Sequence, residues 1–414
     1  MNDSNPIGRL RVGLVGAGFI ARFHVQAFLS VRHVAIAGVY GPTASRRDAI
    51  TREINALELG PCRAFASLEA MLTSGEIDAA WILAPNDARL DIMREIHALK
   101  TSGKAPLIGV ACEKPLARTL AEACEMLRLA ESAGLLHGYL ENQVFSTAIQ
   151  RGKDVIWRRA APISGRPYLA RAAEEHSGPH MPWFWQGRKQ GGGVLSDMGC
   201  HSVEVGRYLL TKPGAPRSDL TLVSANATLG NLKWTRPEYV KKLQATMGAE
   251  IDYASRPAED FSRAALLFKD ADGGKALVEA TNSWAYVGAG LRISIEVLGP
   301  EYAMEFNSLG GGLKVFMSRA IVGGQGEDLV EKQNAEQGLM PVLEDEPGVY
   351  GYVGEDRHMV DAFRHRRLPA ENFADGVGVA EMLMALYRSA EVGKVVELPS
   401  PELETYIPPV ARFE

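Results

Sequence analysis

Short apolar segments alternate with helical patterns over the first third of the chain. Residues 10–15, 34–40 and 79–84 are apolar runs that glycine or proline ends, and a stretch with helical spacing follows each of them. Parallel strands need a crossover connection that is usually a helix, so repeated strand–helix units predict a doubly wound parallel sheet. We expect residues 1–143 to form this α/β domain.

The pattern changes after about residue 145, where longer strand-like runs follow one another. Asp272-Gly273-Gly274 joins two of these runs, and this turn composition is typical of a β-hairpin. A chain of 414 residues is too long for one ordinary core. We therefore expect residues 144–414 to form a second, α+β domain with an open, mainly antiparallel sheet for substrate binding and oligomerisation, and residues 318–350 to be irregular.

Charge and cysteine content exclude several classes of partner. The net charge of −5 argues against a nucleic-acid partner, because phosphate binding needs a basic face. The four cysteines form no CxxC pair and no disulfide pattern, which favours a reducing compartment. The first residues lack a signal-peptide core and no apolar run reaches membrane-spanning length. The sequence predicts a cytoplasmic protein without a membrane partner.

A glycine turn follows the first predicted strand and begins the first helix. Gly16 permits a tight turn, Gly18 lets the backbone approach a pyrophosphate, and Ala21 supplies the small third residue. Phe19 and Ile20 then begin the helix, whose free N–H groups and positive dipole end suit phosphate. The alternative is a tight turn without a ligand. The strand before it and the helix after it favour dinucleotide binding.

The end of the second predicted strand bears on which nicotinamide cofactor is used. An acidic residue is expected there to bind the ribose 2′-hydroxyl, and Gly41 occupies the place. Ser45 and Arg46 follow, and a guanidinium pairs well with a 2′-phosphate. NADP is therefore favoured slightly over NAD. The alternative is that these residues are only the exposed start of a helix.

Three further segments carry a family resemblance. They are residues 84–86 (Ala-Pro-Asn), 113–115 (Glu-Lys-Pro) and 191–201 (Gly-Gly-Gly-Val-Leu-Ser-Asp-Met-Gly-Cys-His). With the glycine turn, they make the whole chain resemble the Gfo/Idh/MocA family of glucose–fructose oxidoreductase and inositol dehydrogenase. The resemblance implies an N-terminal Rossmann domain, a C-terminal α/β domain with an open sheet, and a tight turn near Pro115, where a cis peptide bond would fit. One departure is Arg89, where many family members carry histidine.

The resemblance also implies the residues of an active site. Lys114 would lie beside the nicotinamide, with Asp197 and His201 completing the catalytic set. The resemblance, the glycine turn and the residues after the second predicted strand together give a predicted cofactor-binding set: Gly16, Gly18, Phe19, Ile20, Ser45, Arg46, Pro85, Asn86, Glu113 and Lys114.

The chemistry of these side chains supports the same roles. Oxidising an alcohol requires a base for the hydroxyl proton while hydride leaves the carbon, and histidine titrates near neutral pH. Asp197 and His201 are four residues apart and share one helix face, and Lys114 would stabilise an alkoxide. Either Lys114 or His201 could take the proton. Read singly, Lys114 is equally an exposed turn residue, Asp197 fits an ordinary helix start, and a histidine such as His201 is more often structural.

Candidate substrate residues lie just before the second glycine run and after the last strand of the first domain. Trp183 would stack on the apolar face of a sugar, and His176 and Asn142 would bond its hydroxyls. Residues 183–185 (Trp-Phe-Trp) form the predicted aromatic platform, and the alternative is that they only pack between the domains. No metal site is expected, because the sequence carries no HExxH motif and no paired CxxC.

We therefore expect an NAD(P)-dependent oxidoreductase acting on a hydroxyl-bearing carbon of a sugar, polyol or cyclitol, in a homo-oligomer of two or four subunits. Two alternatives stay open. One is a glycoside-cleaving enzyme that oxidises its substrate transiently with NAD, and the other is a cofactor-binding regulator without chemistry.

Overall fold

The structure is a computed structural model, and it describes residues 7–288, 290–310, 313–317, 338–342 and 345–412. The chain divides into two compact units. The first unit comprises Met1–Ala117, Ala121–Ser146 and Tyr350–Gly378; the second comprises Arg118–Leu120, Thr147–Val349 and Val379–Glu414. The sequence predicted a single boundary at residue 143. In the structure, the later segment Tyr350–Gly378 also belongs to the first unit.

The strands, in chain order, are β1 (Leu10–Val15), β2 (Val34–Tyr40), β3 (Arg63–Phe65), β4 (Ala79–Ile82), β5 (Gly109–Glu113), β6 (Leu136–Leu140), β7 (Leu169–Glu175), β8 (Leu220–Gly230), β9 (Phe261–Asp270), β10 (Lys275–Ser283), β11 (Arg292–Gly299), β12 (Tyr302–Asn307), β13 (Leu313–Met317), β14 (Gly338–Val342) and β15 (Val396–Glu397). The α-helices are α1 (Phe19–Phe28), α2 (Ala44–Ala56), α3 (Leu68–Leu72), α4 (Asn86–Thr101), α5 (Leu120–Ser132), α6 (Thr147–Val155), α7 (Ala161–Ser164), α8 (Gly187–Gln190), α9 (Cys200–Leu210), α10 (Pro237–Met247), α11 (Glu346–Val349), α12 (Tyr352–Arg364) and α13 (Phe373–Val392).

The first unit contains the predicted doubly wound sheet. Its six strands are all parallel and lie in the order β3-β2-β1-β4-β5-β6, so the chain adds β2 and β3 on one side of β1 and then β4, β5 and β6 on the other. Helices between parallel strands cover both faces of such a sheet, so its strands are almost continuously apolar. All residues of β4 and β5, and those of β1 except Arg11, are buried accordingly, and the predicted fold class is confirmed.

Two features of the first unit were not predicted. Strand β3 has three residues, of which only Phe65 is buried, so it leaves no apolar run to detect. Helix α12, far along the sequence, packs in the core of the same unit. Trp81 of β4 makes edge contacts with Phe28 of α1 and Phe363 of α12, at ring-centroid distances of 6.1 and 5.6 Å.

The second unit is built on a seven-stranded sheet in the order β12-β11-β7-β10-β9-β8-β15. Only β7 and β10 are parallel neighbours, which confirms the prediction of a mainly antiparallel sheet. The predicted hairpin joins β9 to β10. Gly273 has φ +82°, a conformation that glycine adopts at little cost, and its N–H donates to the carbonyl oxygen of Asp270 at 3.0 Å.

Helix α9 lies directly on strand β10 in the second unit. A Cβ atom at Gly206 would come within 2.5 Å of Cγ1 of Val278, whose side chain is buried in the sheet. Helix α10, which begins at Pro237, was missed by the sequence analysis. Of the predicted irregular segment 318–350, residues 318–337, 343 and 344 lie outside the described residues.

No helix in the described ranges has the length and apolar character that crossing a bilayer requires.

We expect Gly206→Ala to destabilise the protein by about 1–3 kcal/mol, because the added methyl group overpacks the contact with Val278 and this outweighs the gain in helix propensity. Urea unfolding of Gly206→Ala, Val278→Ala and the double variant measures the effect. The double variant should be more stable than the sum of the single changes implies, since Val278→Ala removes the colliding methyl groups. Strict additivity would contradict the proposed contact.

Candidate active site

The glycine turn is at the carboxyl end of β1 in the first unit. Gly16 has φ +132°, and a Cβ atom there would come within 2.6 Å of the carbonyl oxygen of Leu83, so only glycine fits between β1 and β4. At Gly18 an added Cβ would meet no protein atom within 4 Å. The space over the start of α1 is therefore open.

The start of α1 carries the features of an anion site. Gly18 precedes the helix without a side-chain capping bond, and no acidic residue lies in the first turn. Phe19 and Ile20, the first two helical residues, are partly exposed. The first N–H groups of a helix have no partner within the helix and bind phosphate well, so this helix start fits a dinucleotide.

The end of β2 presents no carboxylate to a ribose. Gly41 is buried, and a Cβ atom there would meet Cβ of Ala17 at 3.3 Å, which leaves little room for an aspartate. The first turn of α2 has no acidic residue, and its Ser45 and Arg46 are exposed. Arg46 makes no ion pair within the described part of the chain, whereas its neighbour Arg47 pairs with an aspartate at 3.0 Å.

Lys114 follows the last residue of β5 in a tight turn formed by Glu113–Pro115, called here the Lys114 turn. The peptide bond before Pro115 is cis, the conformation that the resemblance implied. The backbone N–H of Lys114 donates to Oε2 of Glu113 at 2.9 Å, so the preceding side chain folds back onto the turn. Glu113 is buried, while Lys114 is partly exposed.

Arg89 holds the Lys114 turn from a second direction. Its Nε atom donates to the carbonyl oxygen of Ala84 at 2.9 Å, and its Nη1 atom donates to the carbonyl oxygens of Glu113, at 2.5 Å, and Pro115. Arg89 is only 4% exposed, although it is a charged residue near the start of α4. The position noted in the sequence as a departure thus has a structural role that the sequence analysis did not foresee.

Three other candidates lie in the same unit. Pro85 is exposed and precedes α4, and Asn86 is the first residue of that helix and is buried. Because β1, β4 and β5 are neighbouring parallel strands, the residues after their carboxyl ends share one edge of the sheet. Asn142 is buried in the three-ten helix after β6, where its Nδ2 atom donates to the carbonyl oxygen of Tyr350 at 2.8 Å.

In the second unit, the glycine run 191–193 makes room for two buried polar side chains. A Cβ atom at Gly192 would overlap the hydroxyl of Tyr387, and one at Gly193 would lie 2.5 Å from the carbonyl oxygen of Glu259. The Gly193 N–H lies 3.0 Å from Oε1 of Glu259 and 3.1 Å from the Tyr387 hydroxyl oxygen, and both atoms accept from it. Burial raises the pKa of Glu259 and that of Tyr387.

Asp197 and His201 lie on the helical segment that these contacts position. Asp197 belongs to a π-helical turn, Leu195–Gly199, and His201 belongs to α9, which continues it. They are 6% and 3% exposed, respectively. Wide π turns occur often at functional sites, but a helical sequence pattern does not reveal them.

The Asp197 carboxylate is held by residues that precede and follow it in the chain. Trp284, which is fully buried, donates its indole N–H to Oδ2 of Asp197 at 3.1 Å. Nε2 of His176 lies 3.9 Å from the same oxygen, and Nδ1 of His176 accepts the Gly178 N–H at 2.9 Å. In a neutral His176 this bond leaves the proton on Nε2, the nitrogen that faces Asp197.

The predicted aromatic platform divides into two parts. Trp183 is partly exposed and stacks on Phe184 at a centroid distance of 3.8 Å. Trp185 is buried and makes edge contacts with Trp234 and Trp284, at 5.3 and 5.2 Å. Trp185 therefore supports the tryptophan that bonds to Asp197, and Trp183 and Phe184 are the rings that remain partly exposed.

Comparison with known proteins agrees with this arrangement. A family model described as "Oxidoreductase family, NAD-binding Rossmann fold" matches residues 10–140, and one described as "GFO/IDH/MocA C-terminal domain" matches residues 163–304. The 1,5-anhydro-D-fructose reductase of Ensifer adhaerens is 28% identical over 222 residues, which are 53% of this chain and 61% of the reductase. The rhizopine catabolism protein MocA of Rhizobium meliloti is 30% identical over 203 residues, 49% of this chain and 57% of that protein. The chain thus spans about three fifths of the length of these relatives.

Solved structures share the fold over nearly the whole chain. GenD2 from gentamicin A biosynthesis, crystallised in complex with NAD, superposes with a TM-score of 0.75 at 24% identity, covering 97% of this chain and 99% of GenD2. An identity this low establishes the fold, and it leaves the chemistry to the residues of the site.

We expect Arg89→Met to lower the free energy of unfolding by about 2–5 kcal/mol, because two buried carbonyl oxygens and a partly buried one lose their donor. Arg94→Met is the matched control on the same helix: Arg94 is exposed, pairs with Glu125 and Asp91, and should contribute less than about 1 kcal/mol. Urea denaturation of the two variants makes the comparison. Equal stability of both would show that Arg89 does not hold the Lys114 turn.

Proposed function

This chain belongs to the Gfo/Idh/MocA oxidoreductase family, and we propose that it is an NAD(P)-dependent dehydrogenase or reductase. Its substrate would be a sugar, polyol or cyclitol with a hydroxyl-bearing carbon. The observation that carries the proposal is the Lys114 turn, in which two buried side chains, Arg89 and Glu113, fix the backbone around a partly exposed lysine. Such immobilisation of an amine suits a reacting group.

The residues of the first unit fit the nicotinamide cofactor. The dinucleotide phosphates would bind at Gly16, Gly18, Phe19 and Ile20, where the helix start is open and free of acidic side chains. Pro85, Asn86, Glu113 and Lys114 would complete the cofactor site from the same edge of the sheet. When bound, the nicotinamide accepts or supplies the hydride.

The proposed chemistry of this chain is a proton transfer and a charge stabilisation. Lys114 would stabilise the alkoxide through its ammonium group, and His201 would exchange the hydroxyl proton; the reverse assignment of the proton to Lys114 uses the same residues. Asp197 would accept a hydrogen bond from the substrate or orient the imidazole. The bond from Trp284 fixes the rotamer of its carboxylate for either task.

Asn142, His176 and Trp183 are the proposed substrate residues. His176 is only 2% exposed, but its contact with Asp197 links it to the catalytic set. Trp183 is accessible for stacking on a sugar ring. A relative that reduces 1,5-anhydro-D-fructose supports a substrate of this class. A homodimer or homotetramer and a cytoplasmic location stay predictions from the sequence.

The test is absorbance near 340 nm with NAD⁺ and NADP⁺ and a panel of polyols, cyclitols and sugars. We expect a signal with the wild-type protein and a loss of about 10²–10⁴-fold in kcat for His201→Asn, as for removal of a general base. Lys114→Met and Asp197→Asn should also lose most of the activity.

Matched controls separate chemistry from folding. Lys104→Met and His97→Asn change residues on the surface of the first unit, and both should keep wild-type rates. No signal with any substrate, or full activity in the Lys114, Asp197 and His201 variants, would refute the proposal. Glycoside cleavage without net reduction would favour transient oxidation, and cofactor binding without either reaction would favour a regulator.

We further propose that NADP is preferred over NAD. The buried Gly41 leaves no carboxylate for the ribose 2′-hydroxyl, and the exposed Arg46 guanidinium with Ser45 would bind a 2′-phosphate. Loss of this pairing should lower kcat/KM with NADP⁺ and leave the value with NAD⁺ nearly unchanged.

We expect Arg46→Ala to reduce the NADP⁺ to NAD⁺ ratio of kcat/KM by about tenfold, the value for one charge-assisted pair of about 1.4 kcal/mol. Arg52→Ala is the control, since Arg52 is an exposed arginine farther along the same helix. A wild-type preference for NAD⁺ that Arg46→Ala does not alter would contradict the assignment.

A further inference from the structure

A histidine on the cofactor-binding helix connects two buried carboxylates of the first unit. His24 of α1 is fully buried, and its Nε2 atom lies 3.1 Å from Oε1 of Glu113. Its Nδ1 atom lies 2.9 Å from Oδ2 of Asp356 on α12. Ionised carboxylates only accept hydrogen bonds, so both ring nitrogens must donate and the ring is an imidazolium.

The carboxylate of Glu113 transmits this contact to Lys114. Its Oε1 atom faces His24, while its Oε2 atom accepts the backbone N–H of Lys114. Burial by itself raises the pKa of Glu113, but the hydrogen bond and charge of His24, with the charges of Lys114 and Arg89, outweigh it and leave this pKa lowered. The side chain therefore remains ionised, and both of its oxygens are engaged.

Asp356 fixes the other end of the imidazolium. Its Oδ1 atom accepts the indole N–H of Trp81 at 3.0 Å, so the carboxylate is anchored in the core of the unit. Burial lowers the pKa of His24, but the charge and hydrogen bond of Asp356 and the bond to Glu113 outweigh burial and leave it raised well above 6.5.

The remaining charged groups near His24 are also carboxylates. Glu355 precedes Asp356 and is fully buried, and neither of its oxygens has a hydrogen-bond partner in the described part of the chain. Burial raises the pKa of Glu355 well above its usual value; the charge of His24 lowers it, and the nearby Asp356, Glu113 and Glu141 raise it further. Asp356 and Glu113 are the two carboxylates that lie within hydrogen-bond distance of the His24 ring nitrogens.

We propose that His24 is a positioning residue for Lys114: as an imidazolium between Asp356 and Glu113, it holds the Glu113 carboxylate against the Lys114 N–H. This inference rests on the proposed function only for its kinetic consequence. The string Asp356–His24–Glu113 couples the core helix α12 to the backbone N–H of Lys114, the residue that carries the reacting amine. His24 itself touches neither cofactor nor substrate in this scheme.

The test uses the full-length protein and two measurements. Hydrogen exchange reports the protection of the Lys114 amide without any substrate, and steady-state kinetics reports kcat and KM. We expect His24→Gln to lower the protection of this amide by about tenfold, the worth of one hydrogen bond. It should lower kcat by about 10- to 100-fold with little change in KM, as for a displaced reacting group.

The second variant, Asp356→Asn, tests the charge. With one carboxylate neutralised, the pKa of His24 should fall, so amide protection and kcat should both be lost at a lower pH than in the wild-type protein. In the wild-type protein the contribution of His24 is complete below pH 6.5 and is lost only as pH rises through the raised pKa of the folded state.

His137→Gln is the matched control. His137 is the other buried histidine of the first unit with an assigned bond, accepting the Phe373 N–H at 3.0 Å on Nδ1. It should cost stability without altering Lys114 protection, kcat or the pH profile. Unchanged Lys114 protection in His24→Gln, or kcat losses as large in His137→Gln, would overturn the proposal. A wild-type protein without dehydrogenase activity would refute the proposed function alone, because the exchange measurement needs no turnover.

Discussion

The structure depends on the hydrogen bonds that buried side chains make to the backbone of one tight turn, the Lys114 turn. The Lys114 turn presents a partly buried N–H and two buried carbonyl groups, and a buried group left unbonded would cost about 1–3 kcal/mol. Arg89 supplies the donors and Glu113 the acceptor. Burying a guanidinium is itself costly unless its donors are used, so the arrangement is stable only as a whole.

In the second unit, too, buried side chains accept a hydrogen bond from a backbone N–H group. There the Gly193 N–H is satisfied by Glu259 and Tyr387, and glycine is required because these side chains occupy the volume that a Cβ atom would need. In both units, then, a buried ionisable side chain bonds to backbone close to a proposed catalytic residue. Rigid backbone is what allows a lysine or a carboxylate to keep one geometry while its reacting end meets the substrate.

The sequence predicted the fold well because the fold follows from short-range patterns. Apolar runs ending at Gly16 and Pro85 and the hairpin at Gly273 are each readable within a dozen residues, and connection rules then leave few topologies. Strand β3 was missed because an edge strand of three residues with one buried side chain is too short to show an alternation of apolar and polar residues. The return of α12 to the first unit was missed because nothing in a helical pattern says which core it joins.

Of the candidate site, the sequence supplied the residues proposed to react, but not those that hold them. Lys114 and Asp197 stand in recognisable segments, whereas His24, Asp356 and Trp284 are separated from their partners by 89, 332 and 87 residues. In a sequence, a lone histidine on an apolar helix face looks the same whether it is inert or bonded to two carboxylates. What distinguishes the two is the second carboxylate: a neutral imidazole satisfies only one, so the presence of Asp356 and Glu113 on both sides of His24 is the feature that gives this residue a charge, and hence a role.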